Sequence, residues 1–525
     1  MRTPLVADTD ADPWSSASSD DDDEPDEYVS SLASPSSRAM RTELVNQLRI
    51  AGPVSTSMLC NRARDLVSIA FVGRGARSST SALAGAALAS SFANVTGTAV
   101  VVGLSGAINT LAGQAYGAGA YERVGGVCQR GVVALTCACV VIGAVWWRCD
   151  ALLRAIGQEE EIAREAGAYA RALIPQIFAY AWNISFQAFL QSQAVTAPQA
   201  VAGVVATILH APWCYVLTRA YGAKGAALAT GASTFTVLVV NLTYIFHLRR
   251  IENGRFRERD AVLAAARDAC WPGWSVDRAF DREGMKEWIS IAVPSLILMS
   301  EWVASELLIV FAGYLPKPDV AVAAMSIYQV TNAFAFMIAV GFGVATVTRV
   351  SNEVGAGNVT SAKLAADVAL KLIVGVELIV STFVFASRHR WGALFTEDPA
   401  VSSLLAELMI PLAVYVFFDA VCCVSTSIIR GVGRQAFAAP IVIFAYYAVG
   451  IPIALLLGFT ASLRAVGLAI GGVVGTAAHA GVMTLYARRV DWRAEVSAAR
   501  ARITAKPRGS TTNTDSRTVD ADVLD

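Results

Sequence analysis

The sequence predicts an all-α integral membrane protein with twelve transmembrane helices, arranged as two six-helix pseudo-symmetric lobes with a central cleft. Three observations lead to this fold class. The 525 residues are 55% hydrophobic and 16% charged, whereas a soluble globular protein carries about 25% charged residues. Twelve apolar windows are long enough to cross a bilayer, and landmarks of the first half of the chain recur, in order, in the second half.

A transmembrane helix requires about 20 predominantly apolar residues. Each window is closed by a polar or glycine-rich break, and the first is the weakest because the polar stretch from Asn61 to Asp65 lies inside it. The windows are residues 48–72, 81–108, 126–147, 168–190, 200–219, 226–248, 287–313, 321–346, 364–386, 402–428, 438–459 and 466–487.

Four landmarks repeat at an interval of about 240 residues, which indicates a duplicated unit. Each unit has an even number of helices, so both units insert in the same orientation and the cleft lies between them. The pairs are Ile50-Ala51-Gly52-Pro53 with Ile291-Ala292-Val293-Pro294, Gly117-Ala118-Gly119 with Gly355-Ala356-Gly357, Leu173-Ile174-Pro175 with Met409-Ile410-Pro411, and Pro198 with Pro440.

The segments outside the windows set the domain boundaries. The N-terminal segment is rich in Ser and Asp, so we expect a disordered tail and no cleavable signal peptide. The mixed charge of the central segment predicts a solvated linker that can include a short surface helix. The predicted divisions are a tail of residues 1–42, an N-lobe of 43–250, a linker of 251–285, a C-lobe of 286–490 and a second disordered tail of 491–525.

The distribution of basic residues predicts the orientation, because cytosolic loops carry an excess of Lys and Arg. With a cytosolic N-terminus, and with the first and last five residues of each window counted with the adjoining segment, the tails and even-numbered loops hold 27 of the 42 Lys and Arg residues, and the odd-numbered loops hold 12. We therefore expect both termini to be cytosolic, in a plasma, vacuolar or other endomembrane. A formal net charge of zero gives no argument for nucleic acid.

The scattered cysteines and histidines argue against catalysis. The nine cysteines have no zinc-site or disulfide spacing, so they are interpreted as small apolar packing groups, and we expect no metal. The four histidines form no His/Asp/Cys constellation with them, which disfavours a membrane-embedded enzyme. A glycine-rich phosphate loop is also absent from the sequence, in agreement with transport that needs no ATP.

Four runs of residues resemble the multidrug and toxic compound extrusion (MATE) family in its eukaryotic, plant-like branch. They are Leu111 to Ala118, Thr348 to Asn358, Phe189 to Gln193 and Arg430 to Gln435, and the resemblance covers about residues 43–490. It implies a secondary antiporter that exports organic cations, xenobiotics or secondary metabolites. The coupling ion would be the proton, with sodium less favoured. An exporter of an organic anion such as citrate and an uncoupled facilitator or channel remain as alternatives.

Beyond a small-molecule substrate and the surrounding lipid bilayer, we expect no partner and no cofactor, and we expect a monomer. Acidic residues within the windows are functional candidates, because ionisable groups are costly in hydrocarbon. Glu301, with Ser305 one turn later on the same face, resembles the proton or cation site of the family. Asp419 of the tenth window resembles the acid that accompanies it.

Two further acidic positions are weaker candidates. Glu306 resembles another acid of the family's seventh helix, but it lies about 140° around the helix from Glu301. These two carboxylates therefore cannot share a face. Asp65 lies close to Arg62 and Arg64, and we interpret the three as a buried salt bridge or as a water-exposed end of the first helix.

The remaining candidates line a substrate cavity or form a gate. Aromatic rings can stack on planar or cationic substrates, and the turns after the second and eighth helices are interpreted as parts of an intracellular gate. The cavity candidates are Trp302, Tyr415, Phe418, Gln114 and the asparagine of Thr331-Asn332-Ala333. The gate candidates are Gly117, Gly119, Arg349, Glu353, Gly355 and Gly357.

Overall fold

A computed structural model describes residues 36–74, 80–248, 265 and 267–504. Within them, twelve long helices follow one another in the predicted order. Those of the N-lobe are α1 (Ser37–Arg74), α2 (Ser81–Gly117), α3 (Tyr121–Trp147), α4 (Glu160–Ser192), α5 (Ala197–Tyr221) and α6 (Ala223–His247). Those of the C-lobe are α7 (Arg282–Ile297 and Ser300–Ala312), α8 (Pro318–Gly355), α9 (Val359–Trp391), α10 (Pro399–Val432), α11 (Gln435–Thr460) and α12 (Arg464–Arg488).

Ten of these twelve helices are long and apolar enough to cross a bilayer. The exceptions, α1 and α4, carry more polar and charged residues, as the weakness of the first window anticipates. Each of the twelve helices contains one of the apolar windows or overlaps with it. The predicted fold class, an all-α multi-pass membrane protein, is confirmed.

Both predicted tails are wrong where they adjoin the lobes. α1 begins at Ser37, because its first turns pack against the C-lobe and bury Glu43 and Gln47. A further helix, α13 (Trp492–Thr504), follows α12 and buries Trp492. Apolar windows miss such segments because they pack on protein rather than on lipid. The rest of both tails lies outside the described residues.

The described end of the linker packs more closely than a solvated loop would, and it includes a short helix, Val276–Ala279. Residues 249–264 and 266 lie outside the described residues, but the segment that follows packs on the N-lobe instead of lying in solvent. Cys270 is fully buried, and the ring of Trp271 contacts the rings of Phe186, Phe189 and Phe246 at centroid distances of 5.6 to 6.0 Å. The C-lobe then begins at Arg282, four residues earlier than predicted.

The two lobes meet at one end of the bundle, which we call the tail side: the end that carries the start of α1, the ends of α2 and α8, and α13. Arg349 of α8 binds Glu43 of α1, and Gln47 donates to the Ala365 carbonyl at 2.8 Å. The side chain of Ser55 donates to the Ile338 carbonyl further along α1. These contacts hold the lobes together at the tail side.

Candidate functional site

The predicted acidic site lies inside the C-lobe, where α7 is broken. Pro294 lacks an N–H and precedes the break at Leu298 and Met299, so a new helical segment starts at Ser300. Glu301 therefore occupies the first turn of this segment, and 17% of its side chain is exposed.

Two residues from other helices contact the Glu301 carboxylate. The Tyr446 hydroxyl of α11 donates a hydrogen bond to its Oε2 at 3.4 Å, and Nδ1 of His479 in α12 lies 3.6 Å from the same oxygen. Tyr446 lies in a widened turn of α11 and accepts a hydrogen bond from Thr476. The carboxylate is thus held by side chains that the sequence separates by more than a hundred residues.

Asp419 is the second carboxylate of this region and is 7% exposed. It lies on α10 within electrostatic range of Glu301 and of Glu377 in α9. Among the described residues its carboxylate has no hydrogen-bond partner. Glu301 and Asp419 thus belong to one largely buried acidic cluster.

A small cavity adjoins this cluster between α7, α10, α11 and α12. The Ser305 hydroxyl lies 3.5 Å from the Tyr415 hydroxyl, and the Tyr415 ring meets Tyr328 edge-on at 6.4 Å. Two candidates, Ser305 and Tyr415, therefore face this space. Its lining comprises Ala304, Ser305, Leu308, Tyr415, Tyr446, Gly450, Ile451 and Gly472.

Glu377 is an acidic residue within an apolar window, so it satisfies the rule that selected the other acidic candidates, but it was not among them. Glu377 lies in the ninth window, is fully buried in α9, and neither carboxylate oxygen has a hydrogen-bond partner among the described residues. Tyr446, His479 and Cys422 were missed for another reason. They come from three helices, and no sequence spacing signals their proximity to Glu301.

Glu306 faces away from the acidic cluster, as its helical position predicts. It interacts electrostatically with Arg62 of the N-lobe, which makes a 3.5 Å salt bridge with Asp65. Arg64 instead hydrogen-bonds to Asn61 and to the carbonyl of Gly203 in α5. The salt bridge at Asp65 is therefore formed with Arg62 and is half-exposed instead of buried.

Three further cavity candidates are spread over α7, α8 and α10. Trp302 is half-buried next to Glu301, and the Phe418 ring packs edge-on against Phe417 at 5.5 Å. Asn332 is buried in α8, and its Oδ1 has no partner among the described residues.

Gln114 does not line this cavity, contrary to prediction. Its amide nitrogen donates to the Gly431 carbonyl at 2.9 Å, and its oxygen accepts from Arg502 of α13 at 3.1 Å. It is held at the tail side because it lies on the last turn of α2, where the two lobes touch.

The repeated glycines place the two lobes in direct backbone contact at the tail side. A Cβ atom at Gly117 would collide with the backbone of Asn352, and one at Gly355 would collide with the backbone of Gln114. Gly119 and Gly357 adopt φ angles of 74° and 81°, a region that favours glycine. The two copies of the turn thus pack against each other's helices.

Charged groups reinforce this contact. Arg349 forms three hydrogen bonds with Glu43 at 2.8, 3.0 and 3.2 Å and one with Glu353 at 2.7 Å. On α13, Arg502 donates to Gln114 and to the Val432 carbonyl, one acceptor in each lobe. Desolvation lowers the pKa of the Arg502 guanidinium, and nearby carboxylates oppose that shift.

Comparison with known protein families gives one match in each lobe. A family model described as MatE matches residues 53–216 and 295–456. The chain is 32% identical to Protein DETOXIFICATION 6 of Arabidopsis thaliana over 468 residues, which cover 88% of this chain and 92% of that protein. It is also 32% identical to Protein DETOXIFICATION 16 of the same organism over 471 residues, covering 89% of this chain and 92% of that one.

Solved structures show the same similarity. The crystal structure of the eukaryotic MATE transporter AtDTX14 superimposes with a TM-score of 0.81 at 31% identity, covering 89% of this chain and all of that one. An outward-facing multidrug resistance MATE family transporter shares the fold at 18% identity, with a TM-score of 0.74, covering 89% of this chain and 99% of that one.

Proposed function

The chain belongs to the MatE family of multi-pass membrane transporters, and we propose that it exports organic cations in exchange for protons. The observation that carries this proposal is the buried cluster of Glu301 and Asp419 in the C-lobe. Two carboxylates in a site shielded from water attract either a proton or an organic cation. Both ligands neutralise the same negative charge, so they compete.

The proton and the organic cation contact different groups at the cluster of Glu301 and Asp419. A proton is small enough to bind at the Glu301 carboxylate itself, whose Oε2 lies 3.6 Å from Nδ1 of His479. An organic cation requires a larger space than the small cavity beside the cluster offers, so it binds only where that cavity, bordered by the aromatic side chains of Tyr415 and Tyr446, has widened. Because substrate and proton interact differently with the site, each shifts the transporter toward a different state.

The closed tail side sets the direction of this exchange. With the tail side cytosolic, as the excess of Lys and Arg there supports, the described state is closed toward the cytosol. Protons then enter from the non-cytosolic side and displace the substrate. After the lobes rock and the tail side opens, protons leave to the cytosol and a new substrate binds. A plasma or vacuolar membrane, each with an acidic non-cytosolic side, supplies the gradient.

Substitution of the two acids tests this proposal. We expect Glu301→Gln and Asp419→Asn to abolish gradient-driven uptake of a fluorescent organic cation into proteoliposomes, because the amides keep the shape but bind no exchangeable proton. Glu306→Gln and Glu407→Gln are matched controls on the same two helices. Glu306 faces away from the cluster and Glu407 is exposed on α10. Wild-type flux with an unchanged pH response in Glu301→Gln would place the proton site elsewhere.

A further inference from the structure

Three side chains that commonly bind transition metals meet at Glu301. Cys422 of α10 and His479 of α12 join Glu301 of α7, and their ligand atoms all lie within 4.8 Å of one another. The Cys422 sulfur is 2.9 Å from His479 Nδ1, which is 3.6 Å from Glu301 Oε2. In a tetrahedral zinc site with bonds of 2.0 to 2.3 Å, neighbouring ligand atoms are on the order of 3.5 Å apart. The nitrogen–oxygen distance already fits this spacing, whereas the sulfur has to move away from the imidazole by about 0.6 Å when an ion binds.

We infer that Glu301, Cys422 and His479 bind a thiophilic divalent cation such as Zn²⁺ or Cd²⁺. Sulfur and imidazole ligands select such ions, whereas Mg²⁺ and Ca²⁺ prefer oxygen ligands alone. The carboxylate and the thiolate together cancel the two positive charges of the ion, which a buried site requires. As the sulfur–metal bond forms, the S–H bond of Cys422 breaks and its proton passes to water.

The surroundings of the three ligands suit this use. Cys422 and His479 are 2% and 1% exposed, so the ion enters past Glu301, the more accessible ligand. The Tyr446 hydroxyl donates to Glu301, and the Tyr446 ring packs edge-on against the His479 ring at 5.6 Å. These contacts orient the carboxylate of Glu301 and the imidazole of His479, as residues around the metal sites of other proteins orient the metal ligands. Three protein ligands leave one coordination position for water.

Metal binding has a consequence for transport that rests on the proposed function. An ion held by Glu301 occupies the carboxylate that the proton and the organic cation need. Zn²⁺ or Cd²⁺ should therefore inhibit exchange, and Mg²⁺ or Ca²⁺ at equal concentration should not.

Cobalt binding to the purified full-length protein tests the site without any transport. Co²⁺ is the probe, because a thiolate ligand gives it a near-ultraviolet charge-transfer band. Cys423→Ser is the matched control for Cys422→Ser, since the neighbouring Cys423 sulfur contacts the Ala339 carbonyl of α8 instead. Losing a residue that only orients a ligand costs about 10- to 100-fold in metal affinity, so losing the sulfur itself should cost at least about 100-fold. Cys423→Ser should retain the band and the affinity.

An equal loss in both cysteine variants, or in neither, would overturn the assignment. If Cys422→Ser does not fold, X-ray absorption of Zn²⁺ bound to the wild-type protein gives the same answer. One sulfur at about 2.3 Å, with nitrogen and oxygen at about 2.0 to 2.1 Å, is expected. A zinc coordination shell without sulfur, or with more than one sulfur, would contradict the proposed site. Because these experiments measure metal binding alone, their outcome does not depend on whether the proposed proton exchange occurs. Binding without inhibition of flux would overturn the inhibitory role.

Discussion

Replacing Gly117 by alanine should separate the two lobes at the tail side. The added Cβ would collide with the backbone carbonyl of Asn352, which cannot rotate away as a side chain could. Overfilling a well-packed contact by a methyl group costs about 1 to 3 kcal/mol. Since 1.4 kcal/mol changes an equilibrium constant about tenfold, the population that is open at the tail side should rise about 5- to 150-fold.

Alkylation of a cysteine introduced at Ser351 measures that population. Ser351 is fully buried in the tail-side contact, so a maleimide reaches this position only when the lobes part. The same glycine variants without the introduced cysteine, which retain Ser351, give the background labelling of the native cysteines. Gly375→Ala on α9 is the matched control, because a Cβ there meets no atom within 4 Å. Equal labelling rates in Gly117→Ala and Gly375→Ala would refute the argument from backbone contact.

Three further predictions concern charged groups and α13. Arg349→Gln leaves the buried Glu43 carboxylate without its interlobe partner, so the labelling rate at position 351 should rise by about tenfold or more. Lys363→Gln is the control, because Lys363 is exposed on α9, and it should leave the labelling rate unchanged. Removal of residues 492–525 deletes the Arg502 contacts to both lobes and should also speed labelling, while an unchanged rate would show that α13 does not hold the lobes together. Glu377→Gln should preserve Tm in detergent, because the buried carboxylate has no hydrogen-bond partner among the described residues that the substitution could remove. A marked drop in Tm would contradict this prediction.

The helices and the duplication were predictable because both depend on local composition. Apolar windows locate the twelve helices, and the repeated glycine turns mark equivalent ends of the lobes. The windows fail where a helix continues onto protein instead of lipid, as α1 does before residue 48 and as α13 does. Hydropathy measures the preference of a segment for lipid, and these segments are stabilised by specific interlobe contacts.

The candidate site was predictable only in part, because its residues meet through tertiary packing. Glu301 and Asp419 could be named from their position in apolar windows, and Glu377 satisfies the same rule. Cys422 and His479 gave no signal, since ligands from different helices have no characteristic spacing. Gln114 was assigned to the cavity although it lies at the tail side, because sequence position along α2 does not reveal how deep the cleft extends.

Proton movement coupled to substrate movement is the most direct test of the proposed exchange. Proteoliposomes that hold a pH-sensitive dye, in sodium-free buffer, are given an organic cation on one side. Cation flux through the wild-type protein should drive protons in the opposite direction, and Asp419→Asn should abolish both movements. Cation flux at the wild-type rate without any change in internal pH, or flux that appears only when sodium is added, would contradict proton exchange at Glu301 and Asp419.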